Sequence, residues 1–293
     1  MTSTEINSQT DIWRHAIDNA ASLSAVLPPS GSTVLFFGCG TSAFVARAVA
    51  FLREQAGHGR SDWAFASELP ANRSYDHVVA ITRSGTTTEV LDALSSGRFG
   101  TAQRIVVTGV PEALPGGCAD VVVDFGFADE SSVVQTRFPT TFIALIRHLL
   151  GEDLATVVAE VEAALAAPLP LDVRDYDHFV YLARDWTLGL ADEAALKIRE
   201  AAQAWAESFP ALDYRHGPIA AAGSRTLVAP LWPLEPALVS DIEAVGANVI
   251  DLASDPLVRL VQCQRVAVEL AASRGLNPDV PRHLTRSVVL TNH

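Results

Sequence analysis

The sequence predicts an α/β protein built from two units, each a parallel sheet flanked by helices. Three observations carry this. Short β-branched and aromatic runs alternate with amphipathic stretches at the spacing of strand–helix–strand units. The pattern stops at a proline-containing linker and then restarts. A strand, a turn and a helix from the first half also recur in order in the second, as a domain duplication would leave them.

Four runs define the first unit: STVLFFG (32–38), DHVVAIT (76–82), QRIVVTG (103–109) and ADVVVDF (119–125). Each has an unbroken apolar centre of three or four residues, and strands alternating with helices at this spacing indicate a parallel sheet covered on both faces. After the first, AFVARAVAFLRE has a helical period; after the second, VLDAL does. GEDLATVVAEVEAALAAPLPLDV, from residue 151, reads as a helix that ends in the linker. DHFVYLA (177–183), SRTLVAP (224–230) and ANVIDLA (247–253) then supply the second sheet, which divides the chain into 1–155 and 156–293. The repeat pairs FFGCGTSAFVARAVAFLRE with YLARDWTLGLADEAALKIRE, and ASEL (66–69) with AESF (206–209).

Composition narrows the function. With 49% hydrophobic residues over 293 positions there is material for sizeable cores. A net charge of -13 and singly scattered arginines argue against nucleic-acid or anionic-membrane partners. Cys39, Cys118 and Cys263 are too few and too widely spaced for a disulfide framework or a zinc site. The N-terminus lacks the basic and apolar segments of an export signal, so a cytoplasmic protein is expected.

Two turns carry chemistry. GCGTS (38–42) follows the first strand and TRSGTTTE (82–89) the second, each placing glycine and hydroxyl groups where a strand ends and a helix begins. Free N–H groups and the helix dipole favour an anion there. Taken alone, Thr86 to Glu89 is equally a capping box. Neither turn has the Walker or dinucleotide-binding pattern, so a nucleotide is not expected.

The third feature is Lys197, the one lysine among 21 basic residues. On a helix over 190–205, Leu190, Ala194, Ile198, Ala201 and Trp205 form a core-facing stripe. Asp192, Arg199 and Gln203 lie opposite. Glu193, Lys197 and Glu200, spaced i, i+4 and i+7, meet at the stripe's edge. A solvated ion pair would be served equally well by arginine, whereas a compact ammonium suits a tight site beside an acid. Lys197→Arg is therefore expected to keep the fold and cost more than about tenfold in activity. His216, in DYRHGPIA, sits on a loop fixed by the following glycine and proline.

In order, GCGTS, TRSGTTTE, ADEAALKIRE, YRHGP and NPDVPRHLTRSVVLT resemble the double sugar isomerase (SIS) domain proteins over essentially the whole chain. The resemblance is to the isomerase half of glucosamine-6-phosphate synthase and to stand-alone phosphosugar isomerases of the tagatose-6-phosphate ketose/aldose type, with their deaminase and deglycase relatives. It implies two flavodoxin-like domains, each around a five-stranded parallel sheet, a homodimer, a sugar-phosphate substrate, and no metal or other cofactor. It further implies that Cys39, Gly40, Thr41 and Ser42, with Thr82, Arg83, Ser84 and Thr87, surround the phosphate. Glu200 would move a proton between C1 and C2, and His216 would open the sugar ring from the other subunit. Glu193 and Lys197 would line the sugar end.

Departures from the family pattern matter as well. The sequence begins MTST, with its first cysteine at 39, so glutamine-dependent synthesis is not expected of this chain. Where the synthase tail carries an imine-forming lysine this tail has Arg286, whose guanidinium stays protonated. The stretch after ANVIDLASD is short, so the second sheet is expected to lack a strand. The sequence thus points to an aldose–ketose isomerase acting on a sugar or amino-sugar 6-phosphate. An amino-sugar-phosphate deaminase or fructosamine-6-phosphate deglycase is the alternative, and a non-catalytic sugar-phosphate sensor the second.

Overall fold

A computed structural model describes residues 1–250 and 254–290. Along the chain come α1 (Thr2–Asn7), α2 (Gln9–Asp18), α3 (Ala20–Leu23), β1 (Val34–Gly38), α4 (Thr41–Gln55), β2 (Ser61–Phe65), β3 (His77–Ile81), α5 (Thr88–Ser95), β4 (Gln103–Thr108), β5 (Val121–Asp124) and α6 (Arg137–Leu149). There follow α7 (Ala155–Ala166), β6 (His178–Ala183), α8 (Thr187–Ala202), β7 (Trp205–Pro210), β8 (Thr226–Pro230), α9 (Pro236–Ala244), β9 (Asn248–Val249) and α10 (Pro256–Ser273). Among the described residues, no helix is long and apolar enough to cross a membrane.

These elements form two compact units. One contains Ser8–Leu154 together with the tail from Thr285 onward; the other contains Met1–Asn7 and Ala155–Leu284. The sequence division at 155 thus assigns both ends of the chain differently from their packing. Met1 and Thr2 are held to the second unit because Asp279 accepts bonds from the Met1 ammonium at 2.7 Å, the Thr2 N–H at 2.7 Å and the Thr2 hydroxyl at 2.6 Å.

The first unit has a five-stranded parallel sheet in the order β2-β1-β3-β4-β5. Side chains alternate across it. Leu35, Phe37, Val78, Ala80 and Val106 face a core shared with Val90 and Leu94 of α5. On the other side α4 packs against β1 and β2, and α6 packs against α2 and α4. Gly38 ends β1 because nothing larger fits: a Cβ there would stand 2.6 Å from Ser42 Cβ and 2.8 Å from the Ile81 carbonyl oxygen.

Arg53, fully buried near the end of α4, ties the strands to their approach loops. Its guanidinium donates to the Pro29 carbonyl at 2.8 Å, Ser61 Oγ at 2.9 Å and the Ser32 carbonyl at 3.2 Å. Arg53→Met keeps the volume but strands those acceptors, so it is expected to lower stability by about 3 kcal/mol, read as a shifted urea midpoint.

The second unit has, among the described residues, a four-stranded parallel sheet ordered β7-β6-β8-β9. That is one strand fewer than the five that the resemblance implies. Val180, Leu182 and Val228 share a core with Leu238 and Ile242 of α9. On the other face α8 packs against β6, β7 and α10. Of the expected strand 247–253, only Asn248–Val249 is seen as strand, and residues 251–253 lie outside those described.

Strands β2 and β7 were not expected from the sequence. Both are edge strands with mixed burial, so neither carries an unbroken apolar run. Trp205 is corrected with them. The helix stops at Ala202, Gln203 takes a left-handed conformation with φ 52°, and Trp205 opens β7 at 68% exposed rather than joining the core stripe.

Candidate active site

In both sheets the second strand in sequence lies on one side of the first strand and the third on the other. The crossover connections therefore part between β1 and β3, and between β6 and β8. Ligands of open α/β sheets bind outside the carboxyl ends of strands at such a switch point. The turns 38–42 and 82–87 stand at the carboxyl ends of β1 and β3, so the topology puts the two hydroxyl-rich turns side by side.

Their side chains divide into two groups. Gly40 is the N-cap of α4, and Thr41 and Ser42 are buried in its first turn. Thr82 is 3% exposed and its hydroxyl has no partner among the described residues. In the second turn Ser84 Oγ, Thr86 Oγ1 and Ser287 Oγ form a triangle: Thr86 lies 2.9 Å from Ser287 and 3.2 Å from Ser84, and Ser84 lies 3.1 Å from Ser287. Thr87 is the N-cap of α5, without a side-chain cap bond. The helix thus starts one residue later than a capping box from Thr86 would start it.

Arg83 takes a different role from its neighbours. It is 2% exposed, and its guanidinium donates to the Ser132 carbonyl at 2.6 Å and to the Arg286 carbonyl at 2.9 Å, which makes it a strut between loop and tail. Cys39 is partly buried; burial, and next the charge of Glu89, push its thiol up to about 11. At pH 7.5 it stays protonated, so iodoacetamide is expected to label it far more slowly than a free thiol, as followed by intact mass.

The α8 residues lie in the second unit. Leu190, Ala194, Ile198 and Ala201 are buried as the stripe requires. Glu193 and Lys197 are not at its edge but sealed within, at 2% and 1% exposed, on a helix packed against β6, β7 and α10. The ammonium sits 3.1 Å from Glu193 Oε1 and 2.7 Å from Glu200 Oε2. Burial pushes the Lys197 pKa down, but the charges of Glu193 and Glu200 outweigh it and leave the group above the usual 10.5. Lys197 is therefore a fixed cation at neutral pH, and neither a base nor an amine nucleophile.

Glu200 is the member of the triad that reaches accessible space, with its side chain 19% exposed. It lines a cavity of about 330 Å³ with Leu196, Arg199, Gln203, Arg282 and Leu284. His216, exposed on a short 3₁₀ turn, lines a different cavity of about 390 Å³ with Arg184, Asp185 and Leu188. Arg286 is in the first unit, paired with Asp129. Among the described residues no cluster of His, Cys, Asp and Glu is arranged to hold a metal.

Asp129, Glu130 and Ser287 were missed by sequence reasoning. Arg286 lies 157 residues from Asp129, and no local pattern marks the pair.

No protein-family model matches the chain. A glutamine–fructose-6-phosphate aminotransferase (isomerizing) of Gloeobacter violaceus is 25% identical over 317 aligned residues, covering 88% of this chain and 52% of the relative. The chain thus spans about half the length of the aminotransferases it matches. The crystal structure of a glucosamine-6-phosphate deaminase from Thermotoga maritima superposes with a TM-score of 0.85 at 25% identity, covering 99% of each chain. The chain is homologous to both. A tagatose-6-phosphate ketose/aldose isomerase from Escherichia coli shares the fold, with a TM-score of 0.77 at 19% identity over 100% of this chain and 96% of that one.

Proposed function

We propose that the protein enolises a sugar or amino-sugar 6-phosphate, with Glu200 carrying a proton between C1 and C2 in an aldose–ketose isomerisation. The observation that carries this is the triad: a buried ammonium, neutralised on one side by sealed Glu193, holds Glu200 in place while leaving it accessible. A carboxylate is the kind of group that abstracts a proton α to a carbonyl, and the ammonium 2.7 Å away fixes its position. Glu200 takes the C2 proton of the open-chain aldose as the C1 oxygen gains one, and then returns the proton to C1 of the enediol or enolamine as the C2 hydroxyl or amine gives one up, so that no proton is gained or lost overall. The phosphate is held at the turns by N–H and hydroxyl donors, with Cys39 and Thr82 beside them. His216 opens the ring, reaching it from the partner subunit of a homodimer. Two sugar-isomerase domains dividing near residue 155, a cytoplasmic setting and the absence of a cofactor complete the reading.

A second reading is favoured by the likeness to the deaminase along the full chain. With an amine at C2, reprotonation at C1 leaves a C2 imine, and water converts it to the ketose with release of ammonia. Arg286 fits either outcome, since neither needs a tail imine. Release of a C1-linked amine, as in a deglycase, uses the same base.

The test is proton NMR in D₂O with a panel of hexose, hexosamine and fructosamine 6-phosphates. Deuterium entering at C1 or C2 is the expected result, and the product spectrum separates isomerase, deaminase and deglycase. Binding without exchange on any compound would overturn the enzymatic reading in favour of a sensor.

A further inference from the structure

The geometry points to Asp129 as a positioning residue: its ion pair with Arg286 latches the tail onto the hydroxyl-rich turn, so that Ser287 completes the anion-binding hydroxyl cluster. The inference rests on the reading of that turn as the phosphate holder and deepens it.

The receptor for Arg286 is built independently of the tail. Arg137 Nε donates to the Asp129 carbonyl at 3.1 Å. The Glu130 carboxylate, 1% exposed, caps α6 by accepting from the N–H groups of Thr136 at 2.6 Å, Arg137 at 2.9 Å and Phe138 at 3.1 Å. Gly109, at the end of β4, lets the loop come close: a Cβ there would stand 2.9 Å from Asp129 Oδ1 and 3.0 Å from its Cβ. Arg286 Nη2 then meets both Asp129 oxygens, at 2.6 and 2.5 Å, while Nη1 donates to the Glu130 carbonyl. Two N–H groups of one guanidinium, matched to a carboxylate and the next residue's carbonyl, set the direction of the chain as well as its position.

From that anchor the tail runs directly over the turn. Ser287 closes the hydroxyl triangle with Ser84 and Thr86. The Val288 carbonyl accepts from the Thr88 N–H at 3.2 Å, and the Leu290 N–H donates to Thr88 Oγ1 at 2.9 Å. Each hydroxyl can donate one proton, and in the triangle these are spent on one another. A phosphate oxygen would draw them to itself, so an anion here binds to three hydroxyls rather than two only when the tail is latched. Arg286 is already neutralised by Asp129 and acts through Ser287, not as the counter-charge of the ligand.

The experiment uses the full chain with Asp129→Asn, Arg286→Gln and the double variant. Inorganic phosphate is titrated by ³¹P NMR, and steady-state kinetics use any sugar phosphate that turns over. Each single variant is expected to raise the phosphate Kd and the KM about fivefold with kcat within about twofold, and the double variant no further than a single. Ser287→Ala, which leaves the latch intact, is expected to weaken phosphate in the same way. Unchanged Kd in the single variants or in Ser287→Ala, or effects that multiply to about 25-fold in the double variant, would overturn the proposal. If no sugar phosphate reacts, the functional reading fails alone and the phosphate titrations still decide the latch.

Discussion

Glu200→Gln is expected to reduce turnover by about two to four orders of magnitude while KM stays within a few fold and the melting temperature hardly moves. Glutamine has the size of glutamate and accepts a hydrogen bond from Lys197, but its amide cannot take a proton from carbon. The loss should therefore fall on kcat. Its side chain is 19% exposed, so removing this charge leaves less behind than removing one inside the core. Deuterium exchange into substrate during single turnovers checks the result directly. A glutamine variant that exchanges at the wild-type rate would assign the proton to another group.

The second large effect concerns stability. Lys197→Met keeps much of the shape but leaves Glu193, at 2% exposed, without its cation, and is expected to cost about 3–5 kcal/mol. Adding Glu193→Gln should return most of that loss without restoring activity, because Glu200 remains unsupported. Urea denaturation of the wild type, the single and the double variants measures this; a single variant as stable as wild type would show that the pair contributes nothing. The pH dependence has a definite sign. The Lys197 pKa is raised in the folded state, so the contribution of this group is complete below the ordinary value of 10.5 and is lost only as pH climbs through the higher folded one. Between pH 6 and 9 the difference between wild type and Lys197→Met should be flat with respect to Lys197. Its burial also changes what Lys197→Arg does. With 1% exposure there is no free space for a guanidinium, so that substitution is expected to cost about 1–3 kcal/mol by overpacking as well as activity, rather than to leave the fold untouched.

Legibility in the sequence followed apolar runs, which burial wrote in most strands; β5, an edge strand with a single buried residue, was legible only through its three consecutive valines. Strands β1, β3, β4, β6 and β8, covered on both faces, wrote themselves as apolar runs. Edge strands β2 and β7 need only alternate partial burial, and SDWAF and WAESFP carry too little contrast to show it. The end of α8 was misplaced because Gln203 turns the chain left-handed where a glycine would have given warning. Helix spacing did reveal that Glu193, Lys197 and Glu200 share a face. It could not reveal how deeply two of them lie, because that depends on how β6, β7 and α10 pack on α8, which helical period does not carry. The hydroxyl-rich turns were visible as local motifs, whereas the Asp129–Arg286 pair joins two unremarkable segments and exists only in three dimensions.

The exchange of chain ends sets how the polypeptide can be divided. The first seven residues belong with the four-stranded sheet, while the tail from Thr285 belongs with the five-stranded one. A single peptide-bond cleavage after Leu154 would therefore separate the sequence without separating the structure. The fragment before the cut would lack the segment that closes its own turn and would carry a helix belonging to the other half. Each unit is finished by a segment that lies beyond the other in sequence, so the five-stranded unit is not complete until translation has passed the whole of the four-stranded one.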